Sequence, residues 1–226
     1  MGILPHDIFS PLLEKVNSLT IDDYKKFSYN FTRYGIVFKF NQLVVLKEDR
    51  ISLPEMKSET LLVEDTNTYP VYYDWQFIID PVVDYITNAH LTPGGFVNKL
   101  MISNIIPGGG MPKHWDEEPT QLLSKRIHVV ITTNNDSEFI VNNTKYTFEP
   151  GEIFELNNIM EHAVNNNGIT NRIHLIMDYY HPEHLYELLY GRTKRDPDEA
   201  VCKLILANNK NIDYSEYPKK RIIPQS

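Results

Sequence analysis

The chain has 226 residues, 42% of them hydrophobic and 23% charged, which suits one globular domain with elaborations. A formal charge of −8, from 30 acidic against 22 basic residues, repels a phosphate backbone and argues against nucleic acid as a partner. With no run of about 18 apolar residues, no basic start leading into an apolar stretch, and Cys202 as the single cysteine, the reading is no membrane span, no secretory signal, no internal disulfide and a reducing, cytoplasmic setting.

Along the chain, Ile8, Leu12, Leu13 and Val16 recur at helical spacing, and Thr20 reads as the N-cap of a second short helix beginning Ile21-Asp22-Asp23. Residues 31–46 turn β-rich, residues 70–73 look extended, and a helix is expected over 75–89, with Pro81 disturbing it or marking its start. From Asn98 the texture is strand after strand: 98–106, 126–133, 137–142, 145–149, 152–156, 161–165 and 171–180. Gly108-Gly109-Gly110, Asn134-Asn135-Asp136, Asn142-Asn143, Pro150-Gly151 and Asn167-Gly168 supply the turns. Short strands this dense imply a compact antiparallel sandwich or barrel. Asp196-Pro197 opens a final helix to about residue 208. Expected boundaries are 1–92 for N-terminal helices and strands packing on the core, 93–184 for the core, and 185–226 for a C-terminal helix and tail. The Asn-rich run at 165–167 reads as compositional bias, and the aromatic cluster Tyr72, Tyr73 and Trp75 as core packing.

Chemistry concentrates in the strand-rich stretch. His114 and Asp116 are two apart in an extended segment, so both side chains leave one side and can meet one ion. Eight histidines among 30 acidic residues give about one such pair by chance, and His181-Pro182-Glu183 is a decoy of that kind. Only the first pair is followed by strands carrying another histidine, His162, and then Arg172 one strand further on. Two imidazoles and one carboxylate leave three sites on a metal, the arrangement of non-haem Fe(II) oxygenases. Those sites suit a chelating 2-oxo acid and O₂. A planar guanidinium such as Arg172 matches the distal carboxylate of 2-oxoglutarate. Parity places Arg126, His128 and Val130 on one face of their strand and Arg172, His174 and Ile176 on one face of theirs, as polar residues lining a site would be.

Residues 98 to 184 resemble the aspartyl/asparaginyl β-hydroxylase family, and within it the bacterial free-proline hydroxylases. The likeness is carried by Ser103, His114-x-Asp116, Arg126-Ile127-His128, Pro150-Gly151-Glu152, Glu161-His162-x-Val164-x-Asn166, Arg172-Ile173-His174 through Asp178, and His181-Pro182-Glu183. It implies a mainly β fold, a double-stranded β-helix of jelly-roll or cupin-like form with flanking helices, and an Fe(II)- and 2-oxoglutarate-dependent dioxygenase. By the same resemblance His114, Asp116 and His162 bind iron, Arg172 holds 2-oxoglutarate with Ser103 assisting and His128 beside it, and Arg126 grips a substrate carboxylate. Animal members carry Gly where this chain has Asp116, which points to a small free amino acid as substrate. The alternatives are an Asp or Asn side chain within a protein, or a cupin-like metal-binding module without turnover.

Overall fold

The computed structural model describes residues 2–27, 41–49, 66–91, 93–116, 124–158 and 160–180. Alternating sequence from Phe96 onward becomes β4 (Phe96–Ile105), β5 (Gly110–His114), β6 (Lys125–Thr132), β7 (Ser137–Val141), β8 (Thr144–Tyr146), β9 (Glu152–Leu156), β10 (His162–Asn166) and β11 (Arg172–Tyr180). Upstream lie β1 (Gly2–Ile3), β2 (Asn41–Asp49) and β3 (Thr66–Thr68), with helices α1 (His6–Asn17), α2 (Ile21–Phe27) and α3 (Pro70–His90). The strands form two antiparallel sheets, a seven-stranded one in the order β1-β9-β6-β11-β4-β2-β3 and a four-stranded one in the order β5-β10-β7-β8. The mainly β, double-sheet fold with flanking N-terminal helices is as expected.

Each face of the large sheet has its own partner because side chains alternate along a strand. Leu100, Ile102, Ile127, Val129, Ile131, Leu175 and Met177 face outward and pack on Leu12 and Val16 of α1 and on Trp75, Ile79, Val82 and Ile86 of α3. Each such buried side chain contributes roughly 1.5–3 kcal/mol. The opposite face turns inward, where Ile105, Val130, Phe154 and Leu156 meet Phe139, Val141, Tyr146, Phe148 and Val164 of the small sheet and its loops. The same inward face carries the polar residues singled out by parity.

Two turns show how local chemistry sets this arrangement. Asn142 and Asn143 take φ of 46° and 62°, the two left-handed residues of a tight hairpin whose twist matches its strands, between β7 and β8. Thr20 caps α2 as expected: its hydroxyl accepts from Asp23 N–H at 3.3 Å, while Asp23 accepts from Thr20 N–H at 2.8 Å.

The expected extended stretch at 70–73 is instead the first turn of α3, with Pro70 in the first turn where no intrahelical N–H is needed. Pro81 neither starts nor ends that helix. It sits on the exposed side, where the carbonyl it leaves unbonded belongs to Phe77, 92% exposed and open to water. Tyr72 and Trp75 are core residues, as the default reading had it, and Tyr73 is exposed. Most of the β-rich stretch at 31–46, the expected C-terminal helix, Cys202 and the decoy at 181–183 lie outside the described residues. Among the described residues no helix is long and apolar enough to cross a membrane.

Candidate active site

The two histidines of the expected triad meet because β5 and β10 run closely side by side. A Cβ on Gly110 would stand 2.5 Å from the Val164 carbonyl oxygen, so only glycine allows this approach. The resulting register sets His114 directly opposite His162, with ring centroids 4.3 Å apart. Each ring is fixed in the same way. His114 Nδ1 lies 2.8 Å from Pro112 O, and His162 Nδ1 lies 2.8 Å from Met160 O. A carbonyl only accepts, so both Nδ1 atoms carry the hydrogen and both Nε2 lone pairs are left for a metal.

Asp116 lies just beyond β5, where its backbone N–H donates to Asn158 O at 2.9 Å. One donor atom each from His114, Asp116 and His162 lie within 4.8 Å of one another, near enough for one ion to take all three. The donor set, two imidazoles and one carboxylate, fits Fe(II) with sites left for other ligands. Burial opposes the charge of Asp116, but Arg126 above all, with His162, Asn158 and His114, holds its carboxyl below the usual carboxylate range. Burial lowers the His162 imidazole, which favours the neutral, ligating form.

Arg126, expected at a substrate carboxylate, stands beside the triad and is bonded within the protein. Its Nε and Nη2 donate to the two oxygens of Asp178 at 2.8 and 2.7 Å, and its Nη1 donates to Asp116 Oδ2 at 2.5 Å. The guanidinium fork is engaged within the protein, where it ties a triad carboxylate to the large sheet. The cause is register: Arg126 on β6 lies directly opposite Asp178 on β11. Sequence reasoning had no role for Asp178, because a cross-strand partner 52 positions away leaves no local signal.

Arg172 is 3% exposed, and among the described residues no carboxylate pairs with it. Its Nη2 donates to His174 Nδ1 at 3.0 Å, and its guanidinium carbon lies 5.5 Å from the Phe139 ring centroid. Burial pulls its pKa down to about 9, which leaves it charged at neutral pH. A dry cation without an anion is costly unless a ligand supplies one. His128 lies in the same neighbourhood, its Nδ1 3.4 Å from His174 Nδ1 and its ring stacked on Phe154 at 4.9 Å. Its Nε2 is buried with no hydrogen-bond partner among the described residues, a second unmet polar demand. Desolvation first, then Arg172, keeps both His128 and His174 well below the usual imidazole range and therefore neutral. Ser103 is directly opposite His174, buried on the same face. The structure thus brings Ser103, His128, His174 and Arg172 to one side of the interior. Trp115, between two triad members, is 55% exposed.

Residues 85–182 match the family model of aspartyl/asparaginyl beta-hydroxylase. No curated protein matches the chain. Among solved structures, an oxidoreductase of the 2OG-Fe(II) oxygenase family from Burkholderia pseudomallei is similar in fold, with a TM-score of 0.53 and 11% identity over 79% of this chain and 82% of that one. A predicted oxalate decarboxylase from Thermotoga maritima (TM-score 0.31, 15% identity, 38% of this chain and 68% of that one) overlaps only in part. So does a Cupin 2 conserved barrel domain protein from Salinispora arenicola (TM-score 0.31, 12% identity, 43% and 72%). The segment that carries His114, Asp116, His162 and Arg172 is thus recognised by the model of a hydroxylase family, aspartyl/asparaginyl beta-hydroxylase.

Proposed function

We propose that the protein is an Fe(II)- and 2-oxoglutarate-dependent dioxygenase that hydroxylates a free, proline-like amino acid or a related small carboxylate. The observation that carries this reading is Arg172, a buried cation with no carboxylate partner among the described residues, on the same sheet face as His128 and near a two-His, one-carboxylate cluster. A metal-binding module without turnover has no use for such a residue.

When bound, iron with 2-oxoglutarate and O₂ supplies the oxidising power that puts one oxygen atom into a C–H bond and the other into succinate, with release of CO₂. The chain's own residues do the positioning. His114, Asp116 and His162 hold the metal through Nε2, a carboxylate oxygen and Nε2. Pro112 O and Met160 O keep the two rings turned correctly. Arg172, with Ser103 and His128 beside it, receives the distal carboxylate of the cosubstrate and sets its orientation. Phe139, Phe148 and Phe154 pack closely around this region, the last two stacked at 4.0 Å, and exclude water from it.

The test is to load the protein with Fe(II), add 2-oxoglutarate and a panel of amino acids under air, and follow succinate together with products 16 mass units heavier. Succinate formation coupled to hydroxylation of one panel member is expected. Failure to form succinate with any member, even slowly and uncoupled, would remove the enzyme reading. Peptides bearing Asp or Asn, run in parallel, decide between a free amino acid and a protein side chain.

A further inference from the structure

The registers of β4, β11 and β6 place Lys99, Asp178 and Arg126 in one cross-strand row on the inward face. Asp178 and Arg126 satisfy each other. Lys99 does not share in this. It is 8% exposed, and among the described residues no carboxylate lies within the 4.0 Å of an ion pair from its Nζ. Lysine is almost never buried without a partner. The next row on the same face holds Met101 and Ile176, directly opposite each other, and these pack with Tyr69 in a small apolar cluster. Successive rows on one face are about 6.8 Å apart, twice the strand rise and close to the length of a small amino acid.

We propose that Lys99 holds the anionic group of the substrate, with Met101, Ile176 and Tyr69 against its apolar body. The inference rests on the dioxygenase reading above and names a substrate contact beside Arg126, whose guanidinium is bound to Asp116 and Asp178.

The experiment uses the full chain, anaerobic, with Fe(II) and 2-oxoglutarate. The probes are L-proline, the other free amino acids, and the amide of whichever binds best. Binding is read from the change each causes in the visible absorption of the iron–2-oxoglutarate chelate. With Lys99→Met the half-saturating concentration is expected to rise about 30-fold or more, the scale for loss of a desolvated charge pair. Titrations of metal and of 2-oxoglutarate stay as in the native chain. Thermal stability stays the same or increases, since a buried amine with no carboxylate partner among the described residues is removed. Lys99→Arg keeps the charge and stays within about fivefold of the native chain. Should Lys99→Met fail to fold, the amide decides on the native chain: it is expected to bind about 30-fold more weakly, and equal binding overturns the proposal. Binding to Lys99→Met within threefold of native also overturns it. A native chain that forms the chelate but responds to no amino acid refutes the free-amino-acid reading and this inference together. One that forms no chelate refutes the dioxygenase reading itself.

Discussion

Arg126 Nη1 lies 2.5 Å from Asp116 Oδ2, while the other edge of the same guanidinium is bound to both oxygens of Asp178. One oxygen of the triad carboxylate is therefore held by an arginine anchored to the sheet, and the other, Oδ1, lies 4.0 Å from His114 Nε2 on the metal side. Arg126 is in this way a positioning residue for Asp116. Such partners of metal ligands typically change metal affinity 10–100-fold when removed.

Arg126→Gln is accordingly expected to weaken metal binding by about 10–100-fold. It also leaves Asp178 buried without its cation, a loss on the order of 3–5 kcal/mol of stability. Metal titration and urea unfolding of the same variant read the two effects separately. A variant that binds metal normally and loses only substrate affinity would return Arg126 to the substrate.

Arg172→Met should act in the opposite sense on the fold. Removing a buried cation that has no carboxylate partner among the described residues relieves a desolvation cost, so the metal-free variant is expected to be as stable as the native chain or more so. Its need for 2-oxoglutarate should rise by about 30-fold or more. Arg172→Lys should not restore it, because an ammonium lacks the planar fork that pairs with a carboxylate. Metal affinity unaltered beside a steep loss of 2-oxoglutarate binding is the pattern to look for.

The triad and Arg172 were legible in the sequence because each signal is local or ordered. His114 and Asp116 share a side by parity, and His162 and Arg172 follow on successive strands. What stayed hidden depends on register. Asp178 and Lys99 gain their meaning only when β4, β11 and β6 are aligned. Asn166 is a further case. Read within an Asn-rich run as compositional bias and within the family likeness without a role, it is fully buried, donates to Ile105 O and Thr170 O at 2.8 Å, and accepts from Asn134 at 3.0 Å. It fastens the loop that delivers Arg172. The first turn of helix α3 reads as extended because Val71, Tyr72 and Tyr73 are β-branched or aromatic, and Pro81 reads as a disturbance, whereas its exposed position makes the missing hydrogen bond cheap.

Metal should stabilise the folded chain by mass action. At about 100 times its dissociation constant an ion adds about 2.7 kcal/mol, which raises Tm by roughly 5–10 °C for a chain of this size. Co(II) or Mn(II), added without 2-oxoglutarate and reversed by chelator, is a suitable probe. His162→Ala should abolish the shift, since two of three donors no longer enclose the ion. A shift of full size in that variant would place the metal elsewhere.

Glu155 gives a pH dependence unrelated to the metal. It is 2% exposed on the helix-facing side of β9, opposite Ile127, and burial, only partly offset by Lys125, raises its pKa from 4.5 to about 7. The folded state thus holds a proton that the unfolded chain gives up near pH 4.5. The stabilising contribution of that proton is complete below pH 4.5 and is lost as pH rises to about 7, beyond which it changes no further. Glu155→Gln keeps the neutral, hydrogen-bonding form at every pH. Its unfolding free energy should match the native chain near pH 4.5 and exceed it at pH 8 by an amount on the order of 3 kcal/mol. Urea unfolding of both chains at the two pH values measures the difference directly. A gap that stays constant between them would mean that Glu155 is as readily ionised in the fold as in the unfolded chain.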